Sequence, residues 1–280
     1  MSRYDRQNEK MIEETVSVHY AVQVCDTASY QNETRFCGPD RTLLSKKSIK
    51  SLILSIQECY RIKPMTKHHL LLIYDNTSDA LLEYLKDIVQ QYSDDNLKIE
   101  LENLYPRTGI TESIRYCYQW LTDTGIDFVF QVQDDYLFDK NAIIDSIEHF
   151  YVMLAENKTH AIIQPFNDIY HWTNQYRNQS TPRLVSPGKK DYWIQIYDTS
   201  CSFLTSQVQF KQHWDLYEKF FELIPTAGKG QSNLENISLN YMFTRKGVLG
   251  LAPIRTLSHH IQTVPDFYVD WKILWDSIEL

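Results

Sequence analysis

Gln133, Asp134 and Asp135 end the apolar run FVFQVQDD and stand just before an amphipathic stretch that begins near Asn141. Two adjacent carboxylates repel unless water or a cation screens them. In an extended segment residues 131, 133 and 135 share one face, while 132 and 134 take the other. A carboxylate just past a strand end is well placed to hold a hard divalent cation through oxygen. Such a cation can bridge the phosphates of a nucleotide and neutralise a leaving diphosphate. The competing reading starts a loop at the pair and lets Asp139 cap the next helix. Asp26 and Asp75 also follow apolar runs directly, which gives three acidic exits in all.

The elements that must position these carboxylates follow from hydrophobic spacing. Residues 16–24, 68–75, 97–104, 126–132 and 160–166 are predicted strands. Between them Ile49, Leu52, Ile53, Ile56 and Tyr60 recur at helical spacing, as do Leu81, Leu85 and Ile88 behind a cap at Ser78 or Asp79. Helices over 109–122 and 143–154 complete the alternation. Continuous apolar strands separated by amphipathic helices imply a mostly parallel sheet covered on both faces, and such sheets bind ligands beyond the carboxyl ends of their strands. Residues 167–200 lack sustained periodicity but are rich in Tyr and Trp. Helices over about 206–222 and 234–243, short strands near 247–257 and an aromatic tail follow. With no linker or repeat in view, 1–166 and 167–280 read as two halves of one domain.

Composition narrows the possible functions. A net charge of −8 argues against a nucleic-acid partner, which needs a basic footprint. No apolar run approaches the roughly 20 residues of a membrane span, and the polar start MSRYDRQNEKMIEE lacks the apolar stretch of a signal peptide. Five scattered cysteines without a CxxC pair read as reduced thiols, so a cytoplasmic setting is expected. Neither GxGxxG nor GxxxxGK[ST] occurs, which removes the main support for dinucleotide and P-loop readings. Nineteen Tyr and six Trp suit surfaces that stack on sugars.

The order strand, IYDNTSDALLEYL, strand, TGITESIRYCYQWL and FVFQVQDDYLF resembles the nucleotide-binding half of GT-A fold glycosyltransferases, particularly the inverting family 2. It covers roughly residues 16–165. The resemblance implies a GT-A-like, Rossmann-like α/β fold with a C-terminal acceptor-side region, a nucleotide-diphosphate sugar as donor, Mn2+ or Mg2+, and a carbohydrate or glycoconjugate hydroxyl as acceptor. It makes Asp135 a direct metal ligand and sets Asp75 on the base or ribose near Asp26. Gln133 stands where the family often has a carboxylate, so Asp134 is open to taking that role, and Gln133 can still bond a ribose hydroxyl. A late histidine completes the metal shell in several such enzymes. In LSHHIQT neighbouring residues face opposite ways, and His259 is assigned to the rim ahead of His260. Glu235, followed by Asn236 where Asp is usual, corresponds to the general base. Arg107, Arg115, Arg177, Arg183, Lys189 and Lys190 are candidates for the diphosphate.

Two other readings compete: a catalytically idle sugar-binding module, and a sugar-phosphate nucleotidyltransferase, although VQVCDTASYQN lacks the Gly-rich loop expected of the latter. Phe267, Tyr268, Trp271, Leu274, Trp275 and Ile278 have helical spacing. They are expected to pack on the domain or to form a homodimer.

Overall fold

The computed structural model describes residues 15–27, 40–75, 77–104, 110–123, 125–155, 160–167, 183–197, 202–224, 238–261 and 271–280. Its strands are β1 (Val16–Val24), β2 (Thr66–Tyr74), β3 (Leu97–Asn103), β4 (Phe128–Gln133), β5 (Tyr136–Phe138), β6 (Ala161–Ile163), β7 (Val185–Pro187), β8 (Tyr192–Ile196), β9 (Phe203–Ser206), β10 (Leu249–Pro253) and β11 (Ser258–His260). Its helices are α1 (Arg41–Ile62), α2 (Asp79–Tyr92), α3 (Ile110–Asp123), α4 (Ala142–Ala155), α5 (Gln207–Gln212), α6 (Trp214–Leu223), α7 (Tyr241–Arg245) and α8 (Trp271–Ser277). None of the described helices is long and apolar enough to cross a membrane.

The chain is α/β. Nine strands form one sheet in the order β3-β2-β1-β4-β9-β6-β10-β8-β7, with strands from both halves of the sequence, and β11-β5 form a second small sheet. The first four are parallel. Beyond β4 the sheet is mixed, because β9 runs antiparallel to both β4 and β6, and β8 antiparallel to β10 and β7.

Burial on both faces explains why the strands read as unbroken apolar runs. Val18, Tyr20, Val22, Leu70, Leu72, Phe128 and Phe130 pack with Ile49, Ile53, Leu85 and Ile147 of α1, α2 and α4. The alternate residues Ala21, Leu71, Ile73, Val129 and Phe203 pack with Tyr118, Phe210, Tyr217 and Met242 of α3, α5, α6 and α7. The expected single helix over 206–222 is broken at His213, which both closes α5 and opens α6. Ser78 caps α2 through a bond from Leu81 N–H.

Helix α1 begins at Arg41, well before the first apolar position that marks it in the sequence. Asp40 accepts from Leu43 N–H and caps it. Along its length it buries serines at 45, 48, 51 and 55 beside Leu44, Ile49, Leu52, Ile53 and Ile56. Three of them act on one neighbouring segment. Ser45 donates to Asp134, Ser51 accepts from Phe138 N–H at 3.0 Å, and Ser55 accepts from Ile143 N–H at 3.1 Å. The stretch from the acidic pair to the start of α4 is therefore fastened to α1 by hydroxyls.

The tail helix α8 packs on its own chain. Ile278 is buried with Leu44, Leu137 and Ile261, and Leu274 and Trp275 lean on the same cluster. Lys47 Nζ donates to the carbonyls of Trp275 and Ile278, each at 2.7 Å, which satisfies the free carbonyls at the end of α8.

Candidate functional site

Chain order reverses at β1: the chain passes from β1 to β2 and β3 on one side, then returns to place β4 on the other. In an open α/β sheet, this switch point opens a crevice beyond the carboxyl ends of the two strands. The residues just past those ends are Cys25 and Asp26 after β1, and Asp134 and Asp135 after β4.

The two carboxylates of the pair point to different surroundings, which answers the question of their tolerance. Asp134 is turned into the fold. It accepts from Cys25 N–H at 3.1 Å and from Ser45 Oγ at 2.8 Å, with Arg41 Nη2 at 3.8 Å. Burial, reinforced by the charge of Asp135 and opposed by Arg41, pushes its carboxyl up to about 6. Asp134 thus serves as a strut joining β1, β4 and α1, where the sequence reading has it contact the nucleotide.

Asp135 meets His260. Its Oδ2 lies 3.3 Å from His260 Nε2. The small sheet creates this contact, with His260 opposite Tyr136, His259 opposite Leu137, and Ile261 N–H donating to the Asp135 carbonyl at 2.9 Å. The His260 ring stacks on Tyr136 at 4.4 Å and 9°. His259 is 2% exposed and faces the other way, the side of Leu137 and Ile261. The assignment of His259 to the rim is therefore corrected to His260. Register against β5 decides the matter, and the segment 136–138 gives no sequence sign of being a strand.

Asp26 is a half-buried junction at the rim. It accepts from Thr42 Oγ1 at 2.6 Å, from Ser78 N–H at 2.8 Å and from Ser78 Oγ. Burial opposes its charge, but the hydrogen bonds from Ser78 and Thr42 outweigh it and hold the carboxyl below its ordinary range. It ties β1 to the starts of α1 and α2. Asp75 is buried and accepts from Ser113 Oγ of α3 at 3.1 Å. Gln133 is half-buried, and its N–H donates to Ser202 Oγ at 3.1 Å. Glu235, Arg107 and Arg177 lie outside the described residues.

The expected phosphate cations have other partners. Lys189 pairs with Glu148 at 2.9 Å and Lys190 with Asp145 at 2.6 Å, both on α4. Arg115 pairs with Glu112 along α3. The cation at the switch point is Arg41, whose Nη2 donates to the Cys25 carbonyl at 3.2 Å. Sequence reasoning misses it because nothing local distinguishes Arg41 from a surface residue at a helix start.

Among the described residues no group of three or more His, Cys, Asp and Glu side chains is arranged to hold a metal ion. The donors at the rim are Asp135 and His260. Two ligands at right angles around an ion with bonds of roughly 2.1 Å stand about 3 Å apart, close to the spacing of this pair, and a carboxylate with an imidazole suits Mn2+ better than Mg2+. Comparison with known proteins adds no assignment: no protein-family model and no curated protein matches the chain.

Proposed function

We propose that the chain is a GT-A-type glycosyltransferase that moves a sugar from a nucleotide-diphosphate donor to a carbohydrate or glycoconjugate hydroxyl. The observation that carries this reading is the meeting of Asp135 and His260 at the switch point among the parallel strands of the sheet, next to Asp26 and Arg41. A bound Mn2+ or Mg2+, held by Asp135 and His260 with further positions left to phosphate oxygens and water, would neutralise the diphosphate leaving group. The chain's own residues supply orientation. Asp134 and Ser45 fix the loop that presents Asp135, Tyr136 holds the His260 ring flat, and Asp26 sets the β1 exit against α2. Among the described residues Arg41, which also bonds the Cys25 carbonyl, is the cation placed to meet a phosphate at that exit. By the resemblance, Glu235 takes the proton of the acceptor hydroxyl. The homodimer remains part of the proposal through what this tail leaves exposed, Ile273 of α8 and Leu280 beyond it.

A second reading, a sugar-binding module without catalysis, is favoured by one observation: the described donors number two. Thermal shift with UDP, GDP and their sugars, each with and without Mn2+, tests both. A manganese-dependent rise with a nucleotide sugar, followed by release of nucleoside diphosphate on addition of acceptor sugars, supports the transferase. Stabilisation by free sugars alone, indifferent to nucleotide and metal, would overturn it in favour of the module.

A further inference from the structure

On β4 and β6 one face of the sheet passes from Val129 and Ile162 to amide side chains as it approaches the rim. Register places Ala21, Gln131 and Phe203 side by side across β1, β4 and β9, and Gln23 beside Gln133 in the next row toward the carboxyl ends. Ile163 pairs with Leu204, so Gln164, the next residue, flanks Phe203 from the β6 side. Strand alternation puts Gln131, Phe203 and Gln164 on the face covered by α3, α5 and α6. Two strand spacings separate the glutamines, about 10 Å.

Gln131 is 4% exposed and Gln164 1%. The Oε1 of each is buried and has no hydrogen-bond partner among the described residues. A buried carbonyl without a donor weakens a fold, and native proteins keep few of them. Here two stand in one row at the ligand end of β4 and β6, with Gln23 and Gln133 half-exposed above them. Amide groups both accept and donate, and so match hydroxyls. Over β1, β4, β9 and β6 the two rows carry no charged side chain; the charged members, Glu100 and Glu102, lie two strands beyond β1 on β3, where they bond His69 and Tyr116.

We propose that Gln131 and Gln164 are the floor that reads the hydroxyls of the transferred sugar, and that this sugar is uncharged, a neutral hexose and not a uronic or sialic acid. The proposal rests on the nucleotide-sugar reading above and adds the residues and sugar class to it. A site built to bond a hydroxyl discriminates strongly against a ligand that lacks it.

Calorimetry with Mn2+ on the full chain tests the assignment. UDP and GDP are compared with UDP-glucose, UDP-galactose, UDP-N-acetylglucosamine, GDP-mannose and UDP-glucuronic acid, for the wild type, Gln131→Leu and Gln164→Leu. The wild type should bind one neutral-sugar donor more tightly than the free nucleoside diphosphate. Each variant should lose about five- to tenfold of that increment while keeping its Kd for the diphosphate. Tm should hold or rise, since leucine removes an unsatisfied carbonyl. Variants that keep the sugar increment, a preference for UDP-glucuronic acid, or a large fall in Tm in both variants would overturn the inference alone. A wild type that binds no nucleotide would overturn the underlying reading with it.

Discussion

Asp135 Oδ2 and His260 Nε2 stand 3.3 Å apart although 125 residues separate them in the chain. A three-residue ladder between β5 and β11 makes the contact, and its register selects His260 over His259. Any rim chemistry that uses Asp135 must therefore accommodate an imidazole.

Replacing either partner separates their roles from folding. Asp135→Asn and His260→Ala should each lower Mn2+-dependent nucleotide binding by more than the ~10–100-fold that loss of an outer-shell partner costs. His259→Ala should leave that affinity near wild type while lowering Tm, because His259 is buried. Manganese titration of the three variants checks this; full affinity in Asp135→Asn would remove the metal assignment.

Asp26 should prove structural before it proves anything else. Its carboxylate gathers donors from Thr42 and Ser78 across two helix starts. Asp26→Ala should cost about 1.5–3 kcal/mol in urea unfolding, the range for hydrogen bonds to a charged group. Asp26→Asn, which keeps an acceptor oxygen, should cost less.

The serines of α1 give a sharper test. Ser51 accepts from Phe138 N–H and Ser55 from Ile143 N–H, both buried. Ser51→Ala and Ser55→Ala leave a buried backbone donor without its acceptor, at about 1–3 kcal/mol each. The exposed-face substitution Leu54→Ala on the same helix should cost less than either. Denaturant midpoints of the three proteins give the order.

His68 sets a pH dependence. Its two ring nitrogens are used by Tyr20 Oη and Thr66 Oγ1, each at 2.9 Å, and burial pushes it down to about 3. Below its ordinary 6.5 the unfolded chain takes a proton there that the folded chain refuses. Stability from this group is whole above 6.5 and declines as pH falls toward 3, at up to about 1.4 kcal/mol per pH unit. Urea unfolding at pH 7 and pH 5 should show a smaller stability gap in His68→Gln than in the wild type, by about 2 kcal/mol. Equal gaps would mean that His68 protonates within the fold.

What the sequence displays follows from what each segment buries. β1, the LLLI run of β2 and β4 are buried enough to stand out as apolar stretches, and α2 announces itself with Ser78 and Leu81, Leu85 and Ile88. The start of α1 is hidden because Ser45 and Ser48 are buried there beside Leu44, so no apolar period shows before Ile49. β5, β7 and β11 hold three residues each, too few to show a period, and it is β5 that decides between the two histidines. The mixed half of the sheet is equally silent, since strand direction beyond β4 depends on pairings with β9 and β10 that no local pattern encodes. Asp26, Asp75 and the 134–135 pair are visible as acidic strand exits. That Asp26 and Asp134 turn inward while Asp135 meets a histidine depends on partners far away in the chain.

The docking of α8 has a consequence for biosynthesis. Leu137, in the short strand beside Asp135, rests on Ile278, and Lys47 clasps the final turn. A growing polypeptide can pair β1, β2 and β4 long before residues 258–278 leave the ribosome, yet the rim has neither its histidine nor its support until they do. A product that stops short of residue 258 therefore lacks both His260 beside Asp135 and the support of α8 under Leu137.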